Sequence, residues 1–272
     1  MKSDMNSLKI LHAGALRKPI KECIHLLWEK YPDLKVDLEY AGSRACAKAV
    51  AEGKVVDVIA LADYKVFNDI LIPKFVDTSF VFATDQMVLA FDEFAPGSRE
   101  INAQNWMDVL LNNNVRYARS DHRLDPCGYR TLILWQLAEK YYGRPGLYEQ
   151  LENNWSNLYP KSIDLAVALY EGKIDYGFVY LSVTIQMNLD YVQFPSEINL
   201  SDPRLAGYYA QAKVTIEGNY PGLEAEITGA PIEFAVAIPK NSNQKELAQE
   251  FIDILTGPAG EKILEKNGLI PC

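Results

Sequence analysis

The chain has 272 residues, and its 49% hydrophobic content is enough to bury the core of one large or two medium α/β domains. Acidic residues outnumber basic ones by 36 to 27, and the formal charge of −9 argues against a polyanion such as nucleic acid as a partner. The longest apolar runs are too short for a membrane span, and residues 1–7 lack the apolar core of a secretory signal. The sequence therefore predicts either an intracellular protein or one whose export signal lies outside this sequence.

Apolar runs alternate with amphipathic segments in the first half of the chain, a pattern that predicts parallel βαβ units. Strands are expected at residues 8–11, 36–40 and 55–60, and helical segments follow the first two, ending near residues 31 and 52. The alternation continues with predicted helices at residues 105–111, 129–142 and 162–171 and predicted strands at residues 115–118 and 174–180.

Two apolar runs are longer or later than this alternation requires. Residues 80–91 and 232–238 are predicted to pair as strands that cross between two lobes, an arrangement that lets the lobes hinge around a ligand. The tail is predicted to form two helices, over residues 244–255 and 259–266, interrupted at residues 257–258 by glycine and proline.

Five turns made of small residues lie at the junctions between these strands and helices. The first N–H groups of a helix have no intrahelical partner and carry the positive end of the helix dipole, so a small turn lets an anion approach them. In an open α/β sheet such turns face a common crevice, and the sequence therefore predicts an anion site. The turns are residues 12–15, 41–43, 60–63, 125–130 and 161–162.

The cysteines and histidines do not predict a metal site. Cysteines occur at positions 23, 46, 127 and 272 without close metal-ligand spacing, and there are three histidines, which argues against zinc. A disulfide between Cys46 and Cys127 is one reading, and two reduced, small buried residues is the other. An enzyme that uses Cys127 as nucleophile and His122 as base is also considered, although no third orienting residue is evident.

Several motifs together resemble the periplasmic tungstate/molybdate-binding proteins of ABC importers, particularly their archaeal-type branch. The resemblance runs from about residue 9 to the carboxyl terminus, and "DPCGYR" with "SEINL" is its most specific part. The motifs are HAGAL at 12–16, AGSRAC at 41–46, ADY at 62–64, DPCGYRT at 125–131, IDYGFVYLSV at 174–183 and FPSEINL at 194–200.

The resemblance implies a type II periplasmic-binding fold of two α/β lobes, each a mostly parallel sheet flanked by helices and joined by crossing strands. Lobe I is expected to comprise residues 1–84 and 234–272, and lobe II residues 85–233, with an oxyanion in the cleft between them. It also implies an ABC permease as partner, no cofactor and no catalysis. The expected location is periplasmic or extracellular, with any lipid anchor in a segment outside this sequence.

The resemblance also implies particular contacts. Ser43 matches a serine that contacts the oxyanion, Ala62 a backbone N–H donor, and Tyr180 a tyrosine whose phenol reaches the ligand. Asp125 is similar to a carboxylate that reaches the metal centre of the bound oxyanion, and the Cys127 amide resembles a further donor. The purely structural alternatives are a helix cap for Asp125, a helix cap for Ser43 and a core position for Tyr180.

Two positions depart from the family pattern. Ala15 stands where a serine is usual, and Ser162 appears at the position of a second metal-reaching glutamate. Ser162 can donate through its hydroxyl and cap the following helix, so the site is expected to favour hydrogen-bonded capture over coordination of the metal by paired carboxylates. Additional contacts are expected from residues near the predicted crevice, namely Gly14, Arg44, Arg119, His122 and Arg123, although exposed arginines are usually solvated.

Other functions remain open from the residues alone. A binder of another tetrahedral oxyanion such as sulfate fits the same donors. An intracellular sensory domain on the same fold is a further alternative, but no helix-turn-helix segment or basic arm is visible for binding DNA.

Overall fold

The computed structural model describes residues 7–217 and 223–272. Residues 1–6, which belong to the segment that lacks the apolar core of a secretory signal, lie outside the described part. The strands are β1 Ser7–Ala13, β2 Lys35–Ala41, β3 Val58–Leu61, β4 Phe80–Thr84, β5 Met87–Phe91, β6 Tyr117–Ser120, β7 Asn157–Tyr159, β8 Tyr176–Tyr180, β9 Asp190–Gln193, β10 Lys213–Glu217, β11 Glu224–Thr228, β12 Glu233–Ala237 and β13 Ile270–Pro271.

Helices follow most of the strands. They are α1 Arg17–Lys30, α2 Ser43–Ala51, α3 Tyr64–Val66, α4 Trp106–Leu110, α5 Pro126–Tyr141, α6 Leu147–Asn154, α7 Ser162–Tyr170, α8 Leu181–Met187, α9 Ser196–Asn199, α10 Ala206–Tyr209, α11 Lys245–Thr256 and α12 Pro258–Lys266. A 3-10 turn, Gly14–Leu16, precedes α1, and a π-helical turn, Phe67–Leu71, follows α3.

The chain divides into two compact units, Met1–Thr84 with Glu233–Cys272 and Asp85–Ile232. The prediction from the sequence puts these boundaries at 84/85 and 233/234. The first unit contains a six-stranded sheet in the order β2-β1-β3-β12-β4-β13. The second contains a five-stranded sheet in the order β7-β6-β8-β5-β9 and the hairpin β10-β11.

Hydrophobic packing explains the central position of β3 in the first sheet. All four of its residues are buried, as is typical of a strand covered on both faces, whereas edge strand β2 is mostly exposed. The core beside β3 is built from α2, the π-helical turn and the strands. Its buried side chains include Cys46, Val50, Ile59, Leu61, Phe67, Leu71 and Ala235.

Aromatic side chains form the centre of the second unit. Trp106 of α4 packs edge-on against Phe178 of β8 at 5.7 Å between ring centroids, and Trp135 of α5 does so at 5.4 Å. Phe194 stacks on Phe178 at 6.1 Å. This packing anchors the buried side of α5 on the end of β8, where the candidate site residues lie.

Both main sheets are mixed, where the sequence predicts mostly parallel ones. β1 pairs in parallel with β2 and β3, and β6 with β7 and β8, as the βαβ pattern predicts. In contrast, β12 is antiparallel to β3 and β4, and β5 is antiparallel to β8 and β9. These antiparallel partners are not joined by the helical crossover that imposes parallel pairing, so the βαβ argument does not extend to them.

The apolar run at residues 80–91 is two strands, not one. β4 and β5 belong to different sheets and are separated by residues 85 and 86. The predicted pairing with residues 232–238 is confirmed for β4, which pairs with β12, and is wrong for β5. Polar Asp85 and Gln86 interrupt the apolar run and mark the change of sheet.

The cysteines are all free thiols, so the Cys46–Cys127 disulfide reading is not supported and the reduced reading holds. In the described residues, no helix is long and apolar enough to cross a membrane. The same residues contain no group of three or more His, Cys, Asp or Glu side chains arranged to hold a metal ion.

Candidate functional site

Three of the predicted turns lie at one edge of the first sheet. β2, β1 and β3 are parallel neighbours, so their carboxyl ends meet at the same edge. Ala13 of β1 pairs with Ala41 of β2, and His12 pairs with Ala60 of β3. The turns that hold Ala15, Ser43 and Ala62 therefore follow strands that end side by side.

Ser43 and Ala62 contact each other directly. The Ala62 N–H donates to the Ser43 hydroxyl oxygen at 2.9 Å, and both residues are buried. A hydroxyl that accepts one hydrogen bond still has a proton to donate. The structure thus brings two predicted oxyanion contacts together and leaves Ser43 chemically able to act as a donor.

Ser43 does not cap α2, as one reading of the sequence expects. The residue at the N-cap is Gly42, and Ser43 is the first helical residue, with no side-chain cap hydrogen bond. The hydroxyl oxygen of Ser43 instead accepts the Ala62 N–H of the neighbouring strand end. The capping reading is therefore wrong.

The remaining predicted residues of the first unit are also buried. Gly14 and Ala15 form the 3-10 turn before α1. Arg44 is 1% exposed, and its Nη1 lies 3.7 Å from Asp69 Oδ2. His12 stacks on Tyr40, and burial lowers the pKa of His12 to about 4. This imidazole is consequently neutral at physiological pH and adds no positive charge.

The other predicted turns lie at one edge of the second sheet. β7, β6 and β8 are parallel neighbours, so the segments after Tyr159, Ser120 and Tyr180 start from the same edge. α7 begins at Ser162 and α5 at Pro126. Asp125, Cys127, Ser162 and Tyr180 are therefore brought together within this unit.

Asp125 caps two helices at once. Its Oδ1 accepts the N–H of Cys127 in α5 at 3.2 Å, and its Oδ2 accepts the N–H of Ser162 in α7 at 2.5 Å. Burial raises the pKa of Asp125 to about 6, while these two N–H donors and the charge of Arg130 lower it. The predicted capping role of Asp125 is confirmed, and the predicted Cys127 amide donor is engaged by this carboxylate.

Ser162 does not cap its helix through its own side chain. Lys161 occupies the N-cap position of α7 without a side-chain hydrogen bond, and Ser162 is the first helical residue. Asp125 reaches across from the neighbouring strand end to bind the Ser162 N–H instead. The expectation that Ser162 caps α7 is therefore wrong.

Gly128 makes this arrangement sterically possible. A Cβ at this position would lie 2.4 Å from the carbonyl oxygen of Ser120 and 2.5 Å from the backbone nitrogen of His122. The first turn of α5 thus packs directly against the backbone that leaves β6. The glycine in the DPCG motif is required by this close approach.

Arg130 is a candidate site residue that sequence reasoning missed. It is 2% exposed, and its Nη1 donates to the phenol oxygen of Tyr180 at 2.8 Å. Its guanidinium carbon lies 5.7 Å from the centroid of the Tyr180 ring. One signal was available, since Arg130 lies within the DPCGYR motif, one helical turn beyond Pro126 on the same helix.

Asp85 is a second buried residue that the sequence did not single out. Its Oδ1 accepts the N–H groups of Gln86 at 2.7 Å and Ser182 at 3.3 Å. Burial raises the pKa of Asp85 to about 7, and the charge of Arg130 is among the effects that lower it. The positive charge of Arg130 therefore favours ionisation of two buried carboxyl groups, Asp85 and Asp125.

The predicted arginines of the second unit have structural partners. Arg119 is buried and binds Glu152 at 3.1 Å, His122 Nδ1 at 3.2 Å and the face of Trp155. Arg123 is half exposed and pairs with Asp121 at 2.6 Å. Both side chains fix the loop between β6 and α5, and neither of these contacts involves Asp125 or Tyr180.

Cys127 and His122 lack the properties of a nucleophile and its base. The Cys127 thiol donates to the carbonyl of Phe178 at 3.4 Å, and burial raises its pKa well above the ordinary value. Burial and the charge of Arg119 lower the pKa of His122, whose Nδ1 faces Arg119. Burial therefore disfavours the thiolate that an enzyme using Cys127 and His122 would need.

Comparison with known proteins assigns the family. Residues 8–270 match the family described as bacterial extracellular solute-binding protein. The chain belongs to this family. This solute-binding protein is 38% identical to an uncharacterized solute-binding protein of Petrotoga mobilis over 262 residues, covering 95% of this chain and 82% of the relative.

Relatives with named ligands are also similar to this solute-binding protein. It is 32% identical to the molybdate/tungstate-binding protein WtpA of Thermococcus kodakarensis, covering 96% of this chain and 81% of that protein. The Azotobacter vinelandii periplasmic molybdate-binding protein has a similar fold, with a TM-score of 0.71, 18% identity and coverage of 97% of this chain and 98% of that chain. The fold class predicted from the sequence, a two-lobed periplasmic-binding fold, is confirmed.

Proposed function

We propose that this protein is an extracytoplasmic receptor that captures tungstate or molybdate and delivers it to an ABC permease. The supporting relative is the Thermococcus kodakarensis molybdate/tungstate-binding protein, at 32% identity over nearly the whole chain. The observation that carries the proposal is a buried positive charge among helix starts, because Arg130 lies at the edge where α5 and α7 begin. Such a site attracts a small anion although the whole protein carries a charge of −9.

The proposed contacts are a subset of those expected from the sequence. Asp125 and the Cys127 N–H are left out because they bind each other, and Arg44 and Arg119 because they lie beside Asp69 and Glu152. In the first unit the proposed contacts are the Ser43 hydroxyl and the backbone at Gly14 and Ala15, whereas the Ala62 N–H donates to Ser43. In the second unit they are the Tyr180 phenol and the side chain of Ser162. That donors from both units bind one oxyanion stays a prediction from the sequence.

Capture is proposed to proceed through hydrogen bonds, with the metal centre remaining four-coordinate. Both oxygens of Asp125 already accept helix N–H groups, and a serine stands at the position of the second expected carboxylate. Binding a metal directly would weaken these two caps. X-ray absorption of the tungstate complex is expected to give four oxygen neighbours around tungsten, and six neighbours would contradict hydrogen-bonded capture.

Isothermal titration calorimetry of the purified chain tests the function. Tungstate and molybdate are expected to bind one per chain, and more tightly than sulfate or phosphate. Tighter binding of sulfate would favour the sulfate alternative, which uses the same donors. Failure of all four anions to bind would overturn the proposed function.

A further inference from the structure

The Arg130–Tyr180 pair is assembled entirely within the second unit. α5 supplies Arg130 and the last residue of β8 supplies Tyr180, and the two side chains are 2% and 0% exposed. The donor–acceptor distance of 2.8 Å is that of a good hydrogen bond, and the guanidinium also lies over the phenol ring. A buried charged group therefore helps to hold the phenol in place.

Chemistry fixes the direction of this hydrogen bond. A guanidinium has donors and no acceptor, so the phenol oxygen of Tyr180 must be the acceptor. A phenol carries a single proton, and the bond from Arg130 restricts the directions in which that proton can be donated. An oxyanion has only acceptor oxygens. It can therefore accept the hydrogen bond from the Tyr180 hydroxyl, which Arg130 cannot accept.

The charge of Arg130 has a second consequence at this edge of the sheet. Burial raises the pKa of both Asp85 and Asp125, and the positive charge of Arg130 opposes that effect in each case. An anionic ligand near these two carboxyl groups would otherwise meet like charge. Arg130 thus balances the carboxyl groups beside which Tyr180 is placed.

We propose that Arg130 is a positioning residue that directs the hydroxyl proton of Tyr180 toward the bound oxyanion. The inference rests on the proposed function and adds a residue that determines how the site recognises its ligand. Arg130 acts here through the phenol, in addition to any attraction that its charge exerts on the anion.

A double-mutant cycle with tungstate as the probe separates positioning from charge. Arg130→Lys keeps the buried positive charge but replaces the rigid guanidinium fork with one ammonium on a different stem. Tyr180→Phe removes the hydroxyl and is expected to weaken tungstate binding about tenfold. Arg130→Lys is expected to weaken binding about fivefold in the wild-type background and less than twofold when combined with Tyr180→Phe.

Arg130→Met supplies the second variant, because it removes both the charge and the donor. Its cost in tungstate affinity is expected to be several-fold larger with the tyrosine present than in combination with Tyr180→Phe. The proposal would be overturned if Arg130→Met lost the same tungstate affinity with Tyr180 present as in the Tyr180→Phe background while Arg130→Lys kept wild-type affinity. Arg130 would then act through its charge alone. Arg204→Met is the control, since that arginine side chain is 88% exposed and pairs with Asp202 on the surface.

Folding and function are read out separately in this experiment. Circular dichroism and the thermal midpoint without ligand identify any variant that is not folded. If one of the Arg130 variants does not fold, the double-mutant cycle with the other variant still tests the proposal. Failure of tungstate and molybdate to bind the wild-type protein would overturn the proposed function and this inference together. Wild-type binding with additive costs in both cycles would overturn this inference alone.

Discussion

Asp85 is a buried carboxylic acid with an incomplete set of hydrogen bonds. Its Oδ1 accepts two backbone N–H groups, but its Oδ2 has no hydrogen-bond partner among the described residues. Ionisation of Asp85 therefore leaves a buried negative charge that is only partly stabilised, which is why burial raises its pKa to about 7.

Asp85→Asn is expected to stabilise the protein at alkaline pH. The folded carboxyl holds its proton up to about pH 7, whereas an unfolded aspartate loses it near pH 4, so the folded state binds more protons between these values. The stability contributed by Asp85 is present at low pH and is lost as pH rises through this window, by at most about 1.4 kcal/mol per pH unit. Urea denaturation at pH 5 and pH 8 measures the effect.

The exposed Asp108, whose side chain is 68% exposed, provides the matched control. Asp108→Asn is expected to leave the pH dependence of the free energy of unfolding unchanged. Asp85→Asn reduces this dependence without abolishing it, because Asp125 has a raised pKa of its own. An identical pH slope in Asp85→Asn and the wild type would contradict the assignment of this proton to Asp85.

Gly128→Ala tests the close approach of α5 to the segment after β6. The added methyl group would meet the Ser120 carbonyl at 2.4 Å, and the backbone cannot move without disturbing the Asp125 caps. We expect a loss of about 3 kcal/mol in the free energy of unfolding, as for overpacking of a tight interior. Gly207→Ala is the matched control, because its Cβ meets nothing within 4 Å, and a similar loss there would contradict the steric explanation.

At the level of single residues, the sequence identified several polar candidate contacts but did not identify the buried arginine beside them. Ser43, Ala62, Asp125 and Tyr180 were singled out, and the structure brings the first two into contact. Arg130 was missed because its position on α5 looks like an ordinary helical charge until β8 is placed beside it. Which charged side chain becomes buried depends on contacts between segments distant in sequence, and no local pattern encodes them.

At the level of elements, Asp125 links the first turns of α5 and α7. A single capping interaction contributes about 1 kcal/mol, so loss of both is expected to cost about 2 kcal/mol of unfolding free energy without ligand. Asp125→Ala is expected to show this loss in urea denaturation. Asp125→Asn, which keeps one acceptor oxygen, is expected to lose about half as much.

Asp202→Ala is the control for Asp125, because Asp202 caps only a 3-10 turn at the surface. It is expected to lose at most about 1 kcal/mol, the contribution of one cap. If Asp125→Ala kept its ligand-free stability but lost tungstate affinity, the carboxylate would be a ligand and not a cap. That result would also contradict hydrogen-bonded capture.

The positions of elements followed from local pattern, whereas the direction of pairing did not. The bounds predicted for the first two strands and for the helix at residues 44–52 lie within one or two residues of those of β1, β2 and α2. β12 pairs with β3 and β4, and roughly 150 residues or more of chain separate it from each of them. Hydrophobic periodicity reports burial along one segment, so it cannot specify a partner at that separation.

At the level of the whole molecule, binding is expected to raise the thermal midpoint. A ligand that binds only the folded state stabilises it by mass action, by about 2.7 kcal/mol at a hundredfold excess over the dissociation constant. Thermal unfolding in increasing tungstate is therefore expected to move steadily to higher temperature. A midpoint that does not depend on tungstate concentration would contradict the proposed function.

Substitutions in each unit test whether both contribute to one ligand. Ser43→Ala removes a hydroxyl from the first unit and Tyr180→Phe one from the second, and each is expected to weaken tungstate binding by about 1 kcal/mol or somewhat more. Calorimetry of the two variants measures the loss. Unchanged affinity in either variant would remove that unit's hydroxyl from the site. Ser98→Ala serves as the control, because the Ser98 hydroxyl donates to the carbonyl of Glu93 and lies outside the predicted turns.

The register between β4 and β12 shows where the second unit is inserted into the first. The chain leaves the first unit after Thr84 and returns to it at Glu233, and these two residues pair with each other. Residues 85–232 are therefore an insertion between two antiparallel strands that a short turn could otherwise join. A two-residue turn between this pair would close the hairpin and reconnect the first unit as an uninterrupted chain. The second unit therefore interrupts the chain of the first unit without interrupting the hydrogen bonding of its sheet.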